Sequence, residues 1–253
     1  MQVIYQPRGA ALEYAPLACN TRRGCEHGCS YCYAPACLFL KREQFRAAST
    51  PRSGILEALA KDAAKLQRVG NRERVLFCFT CDPYTPAEAQ DQTTRRALET
   101  MGRYSQPFAV LTKSGTRSCR DFDLLERYGG WFGTTLLFTE DRDRQTWEPR
   151  AASVEDRREA IRQAHSLGIR TWVSVEPIID PEQALALIDS LSPWVDEWRV
   201  GKLNHHPHAA TVDWNAWAPR LLGAVQASGR DYLVKEALAQ YLPKGAAVRR
   251  MAT

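Results

Sequence analysis

The chain has 253 residues, 44% hydrophobic and 25% charged, which suits one globular domain with a full core and excludes disorder, collagen and coiled coil. No run nears the roughly 18 apolar residues of a membrane span, and residues 1–14 lack the charged and apolar regions of a secretory signal, so a cytoplasmic protein with no membrane partner is expected. The net charge of +5 admits an anionic partner without demanding one, because Arg and Lys are spread along the chain.

Short apolar or aromatic runs alternate with helical patterns. A weak first strand is expected near 12–17, followed by strands at 74–80, 108–112, 131–138, 170–175 and 197–201. Between them, Ser53 reads as the N-cap of a helix carrying Ile55, Leu59, Ala63 and Leu66, ended by Gly70. Further helices are expected over 93–101 and 121–128, the latter stopped by Gly129 and Gly130. Ser153 and Asp156 resemble a capping box for a helix ending at Gly168. Pro181 opens the next, with Leu185, Ile188 and Leu191 on one face, and helical patterns continue over 214–227 and 235–241. Strand–helix alternation implies an α/β fold with a parallel sheet, and ligands then bind at the carboxyl ends of the strands.

Five of the eight cysteines, Cys19, Cys25, Cys29, Cys32 and Cys37, crowd into nineteen residues, which in a cytosolic chain points to metal or redox chemistry. The stretch from Gly24 to Ala34 contains C-x3-C-x2-C: Cys25, Cys29 and Cys32. Three thiolates on a loop can hold a soft metal, and a [4Fe–4S] cluster with three protein ligands leaves one iron open. A zinc site of Cys25, His27, Cys29 and Cys32 in a non-catalytic binding module is the alternative. A third is an electron carrier, which needs no open iron.

The motif with Tyr31 before its third cysteine, near the start of repeated βα units, resembles the radical S-adenosylmethionine (SAM) enzymes. Cys81-Asp82-Pro83-Tyr84 and Leu111-Thr112-Lys113-Ser114 make it similar to their spore photoproduct lyase-like branch. The resemblance implies a partial (β/α)6 barrel over about 12–205, with a short helical extension over 206–253 in the same single domain. It also implies a [4Fe–4S] cluster on Cys25, Cys29 and Cys32. Reduction by an external flavodoxin- or ferredoxin-type donor would cleave SAM to a 5′-deoxyadenosyl radical that abstracts hydrogen from substrate. The expected substrate is a nucleic-acid base or nucleotide, with a peptide or small metabolite as the alternative.

By the same resemblance, Tyr33 packs near adenine, Lys113 meets the methionyl carboxylate, and Asp82, with Thr80, meets the SAM ammonium. One of Thr134 and Thr135 contacts SAM, and Thr134 is favoured. Glu176, ending a buried strand, is a candidate for ribose or substrate, as are Lys202 and Asn204. Cys81, better placed than Cys78, is a candidate catalytic thiol. Cys19, Cys37 and Cys119 are expected to be free thiols. His205, His206 and His208 read as an exposed loop or a substrate contact. Arg117, Arg120, Arg142, Arg144 and Arg150 would favour a phosphate-bearing substrate if their loops rim the pocket.

Overall fold

A computed structural model describes residues 2–251. Its strands are β1 (Ile4–Tyr5), β2 (Leu17–Cys19), β3 (Arg22–Arg23), β4 (Thr50–Pro51), β5 (Val75–Phe77), β6 (Phe108–Thr112), β7 (Trp131–Thr135), β8 (Thr171–Ile178), β9 (Glu197–Lys202), β10 (Asp231–Val234) and β11 (Arg249–Arg250). β3 and β4 pair as a separate ribbon. The other nine form one sheet in the order β1-β2-β5-β6-β7-β8-β9-β10-β11. From β2 to β10 every neighbour is parallel, while β1 and β11 are antiparallel edges. This is the expected α/β partial barrel.

The sheet does not close on itself by backbone pairing. Side chains bridge its two ends instead. The Arg199 guanidinium on β9 donates to the Tyr14 carbonyl at 2.5 Å, and the Glu236 N–H beyond β10 donates to the Glu13 carboxylate at 2.7 Å.

The strands fall where the apolar runs place them, but their ends differ. The strand expected near 12–17 is β2, which begins later, at Leu17, because residues 9–14 form a short helical turn, and the edge strand β1 precedes it. β5 stops at Phe77, since Asn20 Oδ1 takes the N–H groups of Phe79 and Thr80 at 2.8 and 2.9 Å and turns the chain out of the ladder. β7 ends at Thr135, whereas β8 runs on to Ile178 with a register shift after Val175. The C-terminal extension holds the expected helix Trp214–Ala227 and also a seventh parallel strand, β10.

Helices cover the outer face. Ile55–Arg68 buries Ile55, Ala58, Leu59 and Ala63, and Leu59 alone contributes about 2 kcal/mol of apolar burial. Its N-cap is Gly54, at φ 63, rather than Ser53, whose hydroxyl makes no cap. In Val154–Ser166 the Ser153 hydroxyl does accept from the Asp156 N–H, but the Asp156 carboxylate turns to Thr116 instead of completing a box. Along each strand alternate residues face opposite sides. Phe108, Val110, Phe132, Val173 and Val175 pack under the helices, while Leu76, Ala109, Leu111, Trp131 and Trp172 fill the interior.

Candidate active site

At the carboxyl ends of the strands lies a cavity of about 450 Å³. Cys25, Cys29, Cys32, Tyr33, Cys81, Asp82, Lys113, Thr135, Ser174, Glu176 and Lys202 all line it. A second cavity, about 340 Å³, opens at the amino ends beside Glu13, Glu197 and Arg199 and holds no cysteine.

The cysteine loop follows β3 and is pinned by its backbone. The Cys25 N–H donates to the Phe45 carbonyl and the Ser30 N–H to that of Trp147, both at 2.9 Å; Arg46 donates to the Cys29 carbonyl at 3.0 Å. Gly24 is required at the loop's entry, because it sits at φ +75 and a Cβ there would come 2.0 Å from the Ala48 carbonyl oxygen. Tyr31 donates its hydroxyl to Glu148, which is ion-paired to buried Arg157 at 2.6 Å. The aromatic residue of the motif is thus an anchor.

All three motif thiols are free. Burial pushes them up, Cys29 to about 12, with Lys113 nearby opposing the shift. The backbone N–H groups of His27 and Ala34 oppose that shift at Cys25 and Cys32. Unpaired thiols facing one cavity suit a bound iron–sulfur cluster.

The zinc alternative meets an obstacle in His27. Its Nδ1 lies 3.3 Å from the Arg150 carbonyl and its Nε2 3.1 Å from the Asp82 carboxylate, so both ring nitrogens face acceptors. Among the described residues no three His, Cys, Asp or Glu side chains converge to hold a single ion. A cluster takes one thiolate per iron and does not need that convergence.

Asp82 differs most from its expected role. Its carboxylate accepts from the Tyr84 N–H (2.8 Å), Thr112 hydroxyl (2.7 Å), Lys113 N–H (2.8 Å) and Ser114 hydroxyl (3.1 Å) while pairing with His27. Burial alone would raise its pKa, but His27 and these donors hold it well below the usual carboxylate range. Asp82 is therefore a knot joining the cysteine loop to the ends of β5 and β6, and not a free acceptor for an ammonium.

Thr134 also needs correcting. Its hydroxyl donates to the Thr112 carbonyl at 2.9 Å and does not line the cavity; Thr135 does. Thr135 shares its side of β7 with Trp131, and Thr134 shares its side with Phe132, which packs under the helices. Gly133 carried the signal, since a Cβ there would meet the Trp172 ring at 2.2 Å.

Glu176 lines the cavity but is not a free acid. Lys235 reaches both of its oxygens, at 3.1 and 3.0 Å, and the Tyr14 hydroxyl contacts it while lying 2.7 Å from the Ser174 hydroxyl. Tyr14, Ser174 and Lys235 were absent from the sequence-based candidates. Period two from Glu176 points to Ser174, but nothing local marks Tyr14 or Lys235.

Tyr33 lines the cavity with its hydroxyl donating to the Phe79 carbonyl at 3.1 Å, and Lys113 lies over the Tyr31 ring at 5.8 Å. Cys81 also lines it, with its thiol beside that of Cys78. Asn204 and His205 line the mouth. His206 and His208 instead pack at a tilt against Trp147, with ring centres 5.1 and 5.3 Å away. None of the five loop arginines lines the cavity. Arg120 pairs with Glu88 and Arg144 with Asp141, while Arg117 and Arg150 donate to the carbonyls of Tyr84 and Arg46.

The profile of the radical SAM superfamily matches residues 19–189. An uncharacterized protein of Methanocaldococcus jannaschii is 24% identical over 162 residues, 63% of this chain and 59% of that protein. An uncharacterized protein of Acidianus two-tailed virus is 28% identical over 180 residues, 66% of this chain and 57% of that protein. The chain thus spans less than two thirds of either relative. Among solved structures, a mutant spore photoproduct lyase with bound AdoMet and dinucleoside spore photoproduct superposes with a TM-score of 0.69 at 15% identity, covering 95% of this chain and 77% of that one. Streptococcus suis SuiB bound to S-adenosylmethionine gives 0.64 at 12% identity, covering 90% and 52%. At these identities the likeness is one of fold. Among the described residues no helix is long and apolar enough to cross a membrane.

Proposed function

This chain belongs to the radical SAM superfamily, and from that premise we propose that it cleaves SAM reductively and abstracts hydrogen from a nucleic-acid base or nucleotide. The observation that carries this reading is that the three motif thiols and Lys113 face one cavity at the carboxyl ends of the strands. A [4Fe–4S] cluster on Cys25, Cys29 and Cys32 would supply the electron and hold the amino-acid end of SAM.

The chain's own residues do the rest. The Lys113 ammonium, which meets no carboxylate among the described residues, neutralises the methionyl carboxylate. Thr135 offers a hydroxyl on the same wall, and the Tyr33 ring flanks the nucleoside. Asp82 keeps the cysteine loop in register with Lys113. Glu176, held by Lys235 and Tyr14, fixes the opposite wall. The Cys81 thiol, which lines the same cavity, is the candidate to return a hydrogen atom to a substrate radical. Work in the cytoplasm and an external one-electron donor of flavodoxin or ferredoxin type belong to the same reading. The base or nucleotide substrate is supported by the likeness to a lyase holding a dinucleoside.

Anaerobic reconstitution with iron and sulfide, then dithionite and SAM, tests it, with 5′-deoxyadenosine read by mass spectrometry. Product that disappears in Cys29→Ala is the expected result. Lys113→Ala should keep its iron and lose at least tenfold in SAM affinity, about the effect of one charge-assisted contact. A protein that takes up stoichiometric zinc and no iron would overturn the reading.

A further inference from the structure

The cavity carries more positive charge than its own carboxylates balance. Its two acids, Asp82 and Glu176, are already engaged, Asp82 by four N–H or O–H donors and Glu176 by Lys235. Three further cations line it: Arg8, Lys113 and Lys202. Among the described residues, none of the three meets a carboxylate at ion-pair distance. Lys202 is half-buried at the end of β9, and its Nζ lies over aromatic faces, 5.8 Å from the Trp214 ring centre and 5.6 Å from that of Tyr241. Such contacts compensate a partly desolvated ammonium weakly. A counter-ion that arrives with a ligand would compensate it fully.

SAM carries one carboxylate. Lys113, close enough to Cys29 and Cys32 to act on their thiols, stands at the cysteine end. Lys202 stands on a different strand, β9, and Arg8 lies in the link between β1 and β2, whose Tyr14 meets Glu176 on β8 and accepts from Arg199 on β9. His205 lines the mouth three residues after Lys202, its backbone at φ 57, a conformation a non-glycine residue adopts only at a cost. The Asn204 amide donates to the Lys202 carbonyl at 3.1 Å and steadies this turn.

We propose that Lys202, with Arg8 and His205, forms a subsite for a phosphate group of the second substrate, separate from the end of the cavity that takes SAM. An ammonium, a guanidinium and an imidazole offer several donors of different reach, which suits a phosphate with its multiple acceptor oxygens. The subsite rests on the reading of this cavity as a radical SAM site. The phosphate could belong to a nucleic-acid strand or to a small phosphorylated metabolite.

Calorimetric titration of the full chain tests this with four probes: thymidine, thymidine 5′-monophosphate, 5′-phosphorylated dithymidylate and ribose 5-phosphate. The monophosphate should bind at least tenfold more tightly than thymidine, the effect of one charge-assisted contact. Lys202→Gln should remove about that tenfold preference, and Lys202→Arg should restore most of it. Arg8→Gln, at an exposed position, should give a smaller loss and keeps the test valid if Lys202→Gln disturbs the packing of Trp214. Dithymidylate as the tightest probe would support the subsite with a nucleic-acid source. Ribose 5-phosphate binding as well as the monophosphate would support it with a metabolite source. Equal affinity for thymidine and its monophosphate, full retention in both variants, or no binding of any phosphate probe would overturn it. SAM binding by the reconstituted wild-type chain is measured in parallel. SAM bound without a phosphate preference sinks the subsite alone, whereas phosphate binding without SAM binding sinks the radical SAM reading of the cavity.

Discussion

His27 Nε2 and the Asp82 carboxylate meet at 3.1 Å in a buried contact that ties the cysteine loop to the segment after β5. Each partner is further held, His27 by the Arg150 carbonyl and Asp82 by four N–H or O–H donors. The loop that presents three thiols is therefore set by a buried contact between these two side chains.

Removing one member of that pair leaves the other buried and uncompensated. Asp82→Ala should cost about 3–5 kcal/mol of unfolding free energy and lower the iron content after reconstitution. The Asp82 carboxyl is held low in the fold, so its contribution is present above the usual carboxylate pKa of about 4 and is lost as pH falls below it. Urea unfolding across acidic pH should be steeper for the wild type than for Asp82→Asn; matching slopes would refute the role.

The thiols shift the opposite way. Cys29 is pushed up to about 12, chiefly by burial, against about 8.5 in an unfolded chain. Before iron is added, its contribution to stability is present below that unfolded value and is lost as pH rises toward the folded one. Iodoacetamide should label Cys29 at neutral pH at least a hundredfold more slowly than in urea, since the thiolate is the nucleophile. Equal labelling, read by peptide mass spectrometry, would show the thiol is not buried as described.

Thr134 and Thr135 separate structure from binding. Thr134→Val removes a buried hydroxyl bonded to the Thr112 carbonyl and should cost about 1 kcal/mol with SAM affinity kept. Thr135→Val should do the reverse, keeping stability and weakening SAM. The reversed pattern would return the contact to Thr134.

Gly201 lies under the Glu176 side chain, where a Cβ would come 2.7 Å from the carboxyl carbon. Gly201→Ala should displace Glu176 from Lys235 and Tyr14 and cost about 1–3 kcal/mol, as overpacking does. An unchanged melting temperature would mean the side chain moves aside freely.

Much of this was legible in the chain itself. β6 and the helix Trp214–Ala227 fall where the apolar pattern puts them, because each buries a face whose spacing is local. β10 was missed, since Asp231–Val234 is too short to be told from the turn after Gly229. The loop arginines show the converse. Their charge reads as a phosphate rim, yet four of the five meet carboxylates or carbonyls that composition cannot assign to them.

The sequence by itself determined the cysteine loop, the apolar runs that lead to Asp82, Lys113 and Glu176, and the family, because each rests on spacing within a few residues or on one run of apolar side chains. Only the tertiary structure decided what those groups meet. Tyr14 and Glu176 are 162 residues apart, and Lys235 and Glu176 are 59. Packing around the barrel interior, not local spacing, turned Thr135 inward, closed Asp82 into a knot with His27 and left Lys202 without a carboxylate partner among the described residues.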